Sequence, residues 1–262
     1  MTEGAVIHLD HTIVCRDGGN IAVDVVFPTE KREDRASVLF IHGGGFVGGD
    51  KSQFLGASLY LARHCSIVCV SVQYRTGKEK PYPMAVLDVV DTIDWMVNNS
   101  IELGIDKDRI VLAGGSPGAN IMFLAMSPEW RRSRSVDTRN IPHYAVSLNG
   151  ILDLTSFWER NPQEQHSLET YFRWRSENER IGLLLESSPS RYTYMGDRFL
   201  FLHGEKDSIV PLSDVRRMIE KVDRSGCASK LEVFKDKEHA WFNNKVDQTE
   251  VWQSIKTFID KV

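Results

Sequence analysis

Two rhythms of apolar and polar positions alternate along this chain. Short runs with almost no polar position, residues 38–41, 67–72 and 110–113, read as strands buried on both faces. Residues 7–14 and 21–27 read as two further strands, joined by the turn Asp17-Gly18-Gly19-Asn20. Between the buried runs the period changes to that of a helix. Residues 54–64 fit one, and a longer one starts at Pro83 and is over by Gly104. In it Val86, Val89, Val90, Ile93, Met96 and Val97 recur at helical spacing, while Asp88, Asp91, Asp94 and Asn98 take the other side. Residues 119–126 are apolar at most positions and suit a buried helix. Beyond them lie a strand at 143–148, a strand at 199–202, a helix at 212–224 stopped by Gly226, a strand at 231–234 and a closing helix at 251–262. Strands alternating with helices predict an α/β fold: a mostly parallel central sheet covered by helices on both faces.

Two stretches break the alternation. Residues 31–35 form a charged loop. Residues 153–197, between two predicted strands, are too long for an ordinary connection. They carry Phe157, Trp158, Tyr171, Phe172, Trp174, Tyr192 and Tyr194 among many charges. Both a lid over a site and a helical insertion whose aromatics pack on the domain fit that composition.

Composition narrows the function classes. A chain of 262 residues with 42% hydrophobic and 26% charged residues fits one domain, 1–262, with the insertion inside it. A net charge of -4 gives no electrostatic reason to expect nucleic acid or an anionic membrane as partner. The four cysteines form no C-x-x-C pair, so neither zinc nor a redox motif is indicated. Residues 1–10 are not a basic start followed by an apolar stretch, and no run approaches membrane-spanning length, so a cytoplasmic protein is the default.

The chemistry centres on residues 110–120, Ile-Val-Leu-Ala-Gly-Gly-Ser-Pro-Gly-Ala-Asn. A buried strand, the pattern Gly114-x-Ser116-x-Gly118 and a buried helix make a nucleophile elbow. An unactivated serine hydroxyl is a poor nucleophile, so it must stand clear where a base reaches it. In enzymes built on this turn the acid and then the histidine follow the serine in the chain. After the strand ending at Gly204 one histidine remains, His239. The acid is expected after the penultimate strand, where Asp207 is the choice; Glu205, nearer the strand end, and Asp153, after the strand that follows the elbow, are rivals. Asp153 also suits a helix N-cap. His42-Gly43-Gly44-Gly45 ends another strand, and its glycines let backbone N–H groups face a site, as an oxyanion hole requires. Gly43-x-Gly45-x-x-Gly48 also matches a dinucleotide fingerprint. That reading fails because the helix starts only near Phe54 and the next strand ends in Ser71-Val72-Gln73-Tyr74-Arg75, without an acid.

With these motifs, and with Tyr82-Pro83, the run from Gly104 to Ile110, Ser188-Pro189 and His203-Gly204-x-x-Asp207, the sequence resembles the α/β-hydrolase carboxylesterases of the hormone-sensitive-lipase and acetyl-xylan/feruloyl-esterase-like type over nearly its whole length. The resemblance implies Ser116 as nucleophile, Asp207 as acid, His239 as base, and Gly44 and Gly45 as oxyanion donors. Phe46 and Trp241 flank these parts and are candidates for lining the pocket. It implies a serine esterase working through an acyl-enzyme, and because no long apolar lid is visible in the sequence, short acyl, acetyl-type esters of an alcohol or sugar are the expected substrates. No cofactor or metal is required, the partner is a small-molecule ester, and the chain acts alone or as a homodimer. One residue departs from the pattern. The position after the nucleophile normally donates its N–H to the oxyanion, and Pro117 has none. Proline also restricts the residue before it, yet it suits the first position of a helix. Pro117 motivates a second reading, a biosynthetic acyltransferase, lyase or other non-hydrolytic enzyme on the same fold. A non-catalytic binding protein is the third.

Overall fold

The described chain begins with an antiparallel pair, β1 (Ala5–Val14) and β2 (Asn20–Pro28), closed by the Cys15 N–H donating to the Gly19 carbonyl and the Gly18 N–H to the Cys15 carbonyl. This is a computed structural model, and it describes residues 4–30, 33–244 and 246–262. The expected charged loop at 31–35 therefore lies partly outside the described residues, as do the first three residues. There follow β3 (Arg35–Ile41), α1 (Leu55–Cys65), β4 (Val68–Gln73), α2 (Met84–Asn98), α3 (Ser100–Leu103), β5 (Ile105–Gly115), α4 (Pro117–Met126), α5 (Pro128–Ser133) and β6 (Tyr144–Leu148). Then come α6 (Leu154–Arg160), α7 (Gln165–Phe172), α8 (Glu177–Glu186), β7 (Arg198–Gly204), α9 (Leu212–Arg224), β8 (Ala228–Phe234) and α10 (Gln248–Ile259).

The strands form one eight-stranded sheet in the order β1-β2-β4-β3-β5-β6-β7-β8. The β1–β2 and β2–β4 pairings are antiparallel and all the others parallel. The missing period of two in the central strands has a direct cause. In β3, Val38 and Phe40 enter one core with Ala57 and Leu61 of α1 and Val251, Ile255 and Phe258 of α10. Leu39 and Ile41 enter the other, with Val86, Val89 and Ile93 of α2, Phe123 of α4, and Val215 and Met218 of α9. Both faces are apolar because both are covered. Each such side chain contributes about 1.5–3 kcal/mol by leaving water.

Helix α2 shows what periodicity missed. Its apolar stripe is buried as expected, but Asp88 and Asp91, on the opposite side, are buried too. Arg75 reaches Asp88 with Nε and Nη2, and Arg16 holds Asp91 through a 2.6 Å bond from Nε. Cys15 donates to Asp88 from Sγ. Cys15, Asp88 and Asp91 bring three potential metal-ligating atoms within 4.8 Å of one another, but both carboxylates are already engaged by arginines.

The 153–197 insertion folds mainly into α6, α7 and α8, and its aromatics are spent largely on packing. Phe157, Tyr171, Phe172 and Tyr194 join the larger core. Tyr171 also binds the preceding domain surface through its backbone, accepting from the Tyr82 N–H at 2.8 Å. Among the described residues no helix is long and apolar enough to cross a membrane.

Candidate active site

The C-terminal ends of β3, β5, β7 and β8 converge on one place, as a parallel sheet requires of loops that follow its strands. At the end of β5 the chain turns sharply into α4. Ser116 sits at the turn with φ 52° and ψ -116°, a strained conformation for a residue with a Cβ. The strain is held from both sides: the Ser116 N–H donates to the Leu148 carbonyl at 2.8 Å, and the Ser116 carbonyl accepts from the Ile151 N–H. Pro117 does not prevent this geometry, because it occupies the first turn of α4, where its missing N–H leaves no intrahelical gap. Gly118 shows why the pattern needs glycine. A Cβ there would stand 2.2 Å from the Ile41 carbonyl oxygen, so any larger residue would force α4 away from β3.

Ser116 Oγ lies 2.8 Å from His239 Nε2, and His239 Nδ1 lies 2.8 Å from Asp207 Oδ2. The carboxylate beside Nδ1 keeps the proton there, so Nε2 is free to accept from the serine hydroxyl. Asp207 is fully buried at its side chain and all its acceptor sites are engaged. Oδ1 accepts from the Ile209 and Val210 N–H groups at 2.9 and 2.8 Å. Oδ2 accepts from His239 and from the Asn149 side-chain amide. Burial alone would push this carboxyl up. The His239 hydrogen bond and charge, the Val210 amide and the Asn149 amide outweigh burial and hold it below the usual carboxylate range.

The two rivals for the acid are placed elsewhere. Glu205 accepts from the Asp236 N–H. Asp153 caps α6, accepting from the Ser156 N–H at 3.0 Å. Asn149 and His203 are further contributors: His203 stands in the motif that leads to Asp207, whereas Asn149 belongs to no motif. Asn149 ends β6 in the left-handed region, φ 49°, with no exposed surface, and donates to Asp207. His203, in β7, donates from Nε2 to the Val210 carbonyl at 2.9 Å and lies 3.6 Å from Asp207 Oδ2. Burial pushes His203 below the usual imidazole range, against the pull of the Asp207 charge. A lone Asn carries no spacing signal, so only the folded chain identifies Asn149, and only the folded chain shows what His203 touches.

At the end of β3 the glycines turn at φ 120° for Gly44 and 61° for Gly45. The Gly44 carbonyl accepts from the Val47 and Gly48 N–H groups, and the Gly43 N–H donates to Gln53 Oε1. Among the described residues neither the Gly44 nor the Gly45 N–H has a protein acceptor. Donors left open in this way, Gly44 exposed and Gly45 half-buried, are placed to receive an anion that arrives with the substrate. Phe46 and Trp241 do not stand in the open. Phe46 is buried and stacks on Tyr171, with ring centroids 4.7 Å apart, and Trp241 packs between Phe234 and Phe242. Asn120, near the elbow, spends its amide on the Ile151 and Ser187 carbonyls and is not a replacement donor.

A family model described as the alpha/beta hydrolase fold matches residues 38–243 of this chain. Among curated proteins the chain is similar to Lipase 2 of Moraxella sp. (strain TA144), 36% identical over 128 residues, covering 47% of this chain and 30% of that one. It is similar to Esterase LipQ of Mycobacterium tuberculosis, 28% identical over 171 residues, with 62% and 39% covered. It is also similar to an Arylesterase of Saccharolobus solfataricus, 35% identical over 97 residues, with 37% and 32% covered. The matched part thus spans about a third of the length of these relatives. Among solved structures, a Bacterial Heroin Esterase superposes with a TM-score of 0.84 at 20% identity, covering 100% of this chain and 85% of that one. A hyperthermophilic esterase from the archaeon Pyrobaculum calidifontis gives 0.80 at 23% identity, with 98% and 85% covered.

Proposed function

The chain belongs to the α/β hydrolase fold family, and on that premise we propose that it is a serine carboxylesterase with Ser116 as nucleophile, His239 as base and Asp207 as acid. The observation that carries this reading is the continuous line of hydrogen bonds from Ser116 Oγ through the His239 ring to Asp207, with 2.8 Å at both steps. His239 Nε2 takes the serine proton as Oγ attacks the ester carbonyl, and the Gly44 and Gly45 N–H groups receive the negative oxygen. The imidazolium then protonates the leaving alcohol. Water, deprotonated by the same nitrogen, releases the acid from the acyl-enzyme. The whole sheet, with the 153–197 insertion, acts as one unit in this reading. Short acyl groups, acetyl above all, are the proposed substrates. What supports this is that the sequence carries no long apolar lid.

A fluorophosphonate probe tests the assignment. One label is expected at Ser116, lost in Ser116→Ala; folded protein that stays unlabelled, or carries the label elsewhere, removes the triad. The second reading, a transferase or other non-hydrolytic enzyme, is favoured by one observation: Pro117 deprives the hole of the N–H that ester hydrolysis uses. An enzyme that takes the label but leaves a panel of p-nitrophenyl esters intact supports that reading over the first.

A further inference from the structure

Above the oxyanion glycines stands a group that the chemistry so far does not use. A Cβ built on Gly45 would come within 3.6 Å of Glu164 Oε2 and 3.7 Å of Ser167 Oγ. Both residues belong to the insertion, Glu164 in the short 3-10 turn before α7 and Ser167 in its first turn. The sequence isolates neither of them, since the insertion is charged throughout. The fold brings them there because Tyr171 and Phe172 of α7 anchor the helix against Phe46 and Tyr82.

Three observations make Glu164 unusual among the acids of this chain. Its side chain is half-buried and, among the described residues, makes no hydrogen bond or ion pair. The nearby insertion cations are committed elsewhere: Arg160 pairs with Asp214, and Arg173 donates to the Gly77 and Lys78 carbonyls. And Glu164 lies beside Gly45, which carries one of the two donors left to a hole that has already lost a third to Pro117. A carboxylate next to a site where an oxyanion develops raises the barrier for a neutral ester, since like charges at short range repel most where water is scarce. The penalty disappears when the substrate brings its own positive charge to that carboxylate.

We propose that Glu164, with Ser167 beside it, is a specificity-determining residue that selects esters carrying an ammonium group close to the ester carbonyl. This rests on the esterase reading. The carboxylate binds the cation, Ser167 Oγ accepts from it where it carries a proton, and the cation shields the developing oxyanion from Glu164. An uncharged ester of the same shape meets the carboxylate unshielded.

The experiment compares two esters of nearly equal volume, acetylcholine and 3,3-dimethylbutyl acetate, whose quaternary centres differ only in charge. In the wild-type enzyme kcat/KM is expected to be at least about tenfold higher for the cationic ester, with the advantage shrinking as salt rises. Glu164→Gln should bring the ratio close to one by lowering the rate on the cationic ester and raising it on the neutral one. Glu164→Lys should invert it. A melting curve for each variant confirms the fold. A wild-type ratio near one, or a ratio that Glu164→Gln leaves unchanged, overturns the proposal, as does a preference for a neutral polyol acetate over acetylcholine. If the wild-type protein takes no fluorophosphonate label, the esterase reading fails and this one with it. Labelled enzyme without charge preference removes this proposal alone.

Discussion

Pro117 takes away one hydrogen atom at the place where, in the esterase reading, negative charge develops. Losing one oxyanion donor in another hydrolase costs about 3–4 kcal/mol, or roughly 10²–10³ in rate. Pro117→Ala returns that N–H at the first turn of α4, on a backbone that Leu148 and Ile151 already hold in place. The expected result is a rise in kcat on simple acetyl esters of up to about 10², with KM little changed, measured by steady-state kinetics. A folded variant with unchanged kcat shows that the hole never lacked a donor. The acid is tested by a different substitution. Asp207→Asn keeps the shape but reverses the polarity of the partner at His239 Nδ1, so kcat should fall by about 10⁴. Asp153→Asn should leave kcat within about twofold, because Asp153 only caps α6, and caps contribute about 1 kcal/mol of stability. Comparable losses in the two variants would take the acid role from Asp207.

Between elements, the junction of α2 with the opening hairpin and the loop after β4 is the sharpest case of a buried charge. Asp88 is wholly buried and depends on Arg75, which also grips Asp17 of the hairpin turn. Arg75→Met should therefore leave an unpaired carboxylate in the core and cost about 3–5 kcal/mol, read as a lower urea midpoint. Restoring most of that loss with Asp88→Asn in the same chain would show that the stranded charge, rather than lost packing, causes it; no restoration would point to packing. This junction also marks where the sequence stops being informative. The period of α2 locates its apolar stripe correctly, because periodicity reports which side is greasy. It is silent about Asp88 and Asp91, because an ion pair with Arg75 or Arg16 is a contact between distant segments. The same holds at the site. Ser116, Asp207 and His239 are legible because a local turn and a fixed chain order point to them. Asn149, which donates to Asp207 from the end of β6, is invisible until β6 and β7 lie side by side. Glu164 is invisible for the same reason. Adjacency to a motif says nothing about which way an aromatic ring turns, and the packing of Phe46 on Tyr171 and of Trp241 between Phe234 and Phe242 is seen only in the fold.

At the scale of the whole molecule, acidity acts through groups gathered at the strand ends. Burial pushes His42 and His203 below the usual imidazole range, although the Gly43 carbonyl opposes this for His42 and the Asp207 charge for His203. The unfolded chain takes up protons at these positions below about pH 6.5, where the folded one resists. Their contribution is therefore complete above that pH and is lost as pH falls toward the folded values. Asp207 adds a second, lower window: its contribution is complete above about pH 4 and disappears as pH falls through its depressed value. Thermal melts from pH 8 to 5 should show Tm declining over the lower half of that range, and His203→Gln should flatten the decline. A wild-type Tm independent of pH between 7.5 and 5 would contradict this account. The order of the sheet has a consequence in time as well. His239 follows β8, an edge strand made after the other seven of this sheet, and lies 123 residues beyond Ser116. At about 5–20 residues per second, a ribosome exposes the serine on the order of ten seconds before the histidine exists. Throughout that interval the nascent chain carries an idle hydroxyl on an unfinished sheet. In the esterase reading, a first turnover therefore requires that β8 and the loop after it have been made and docked.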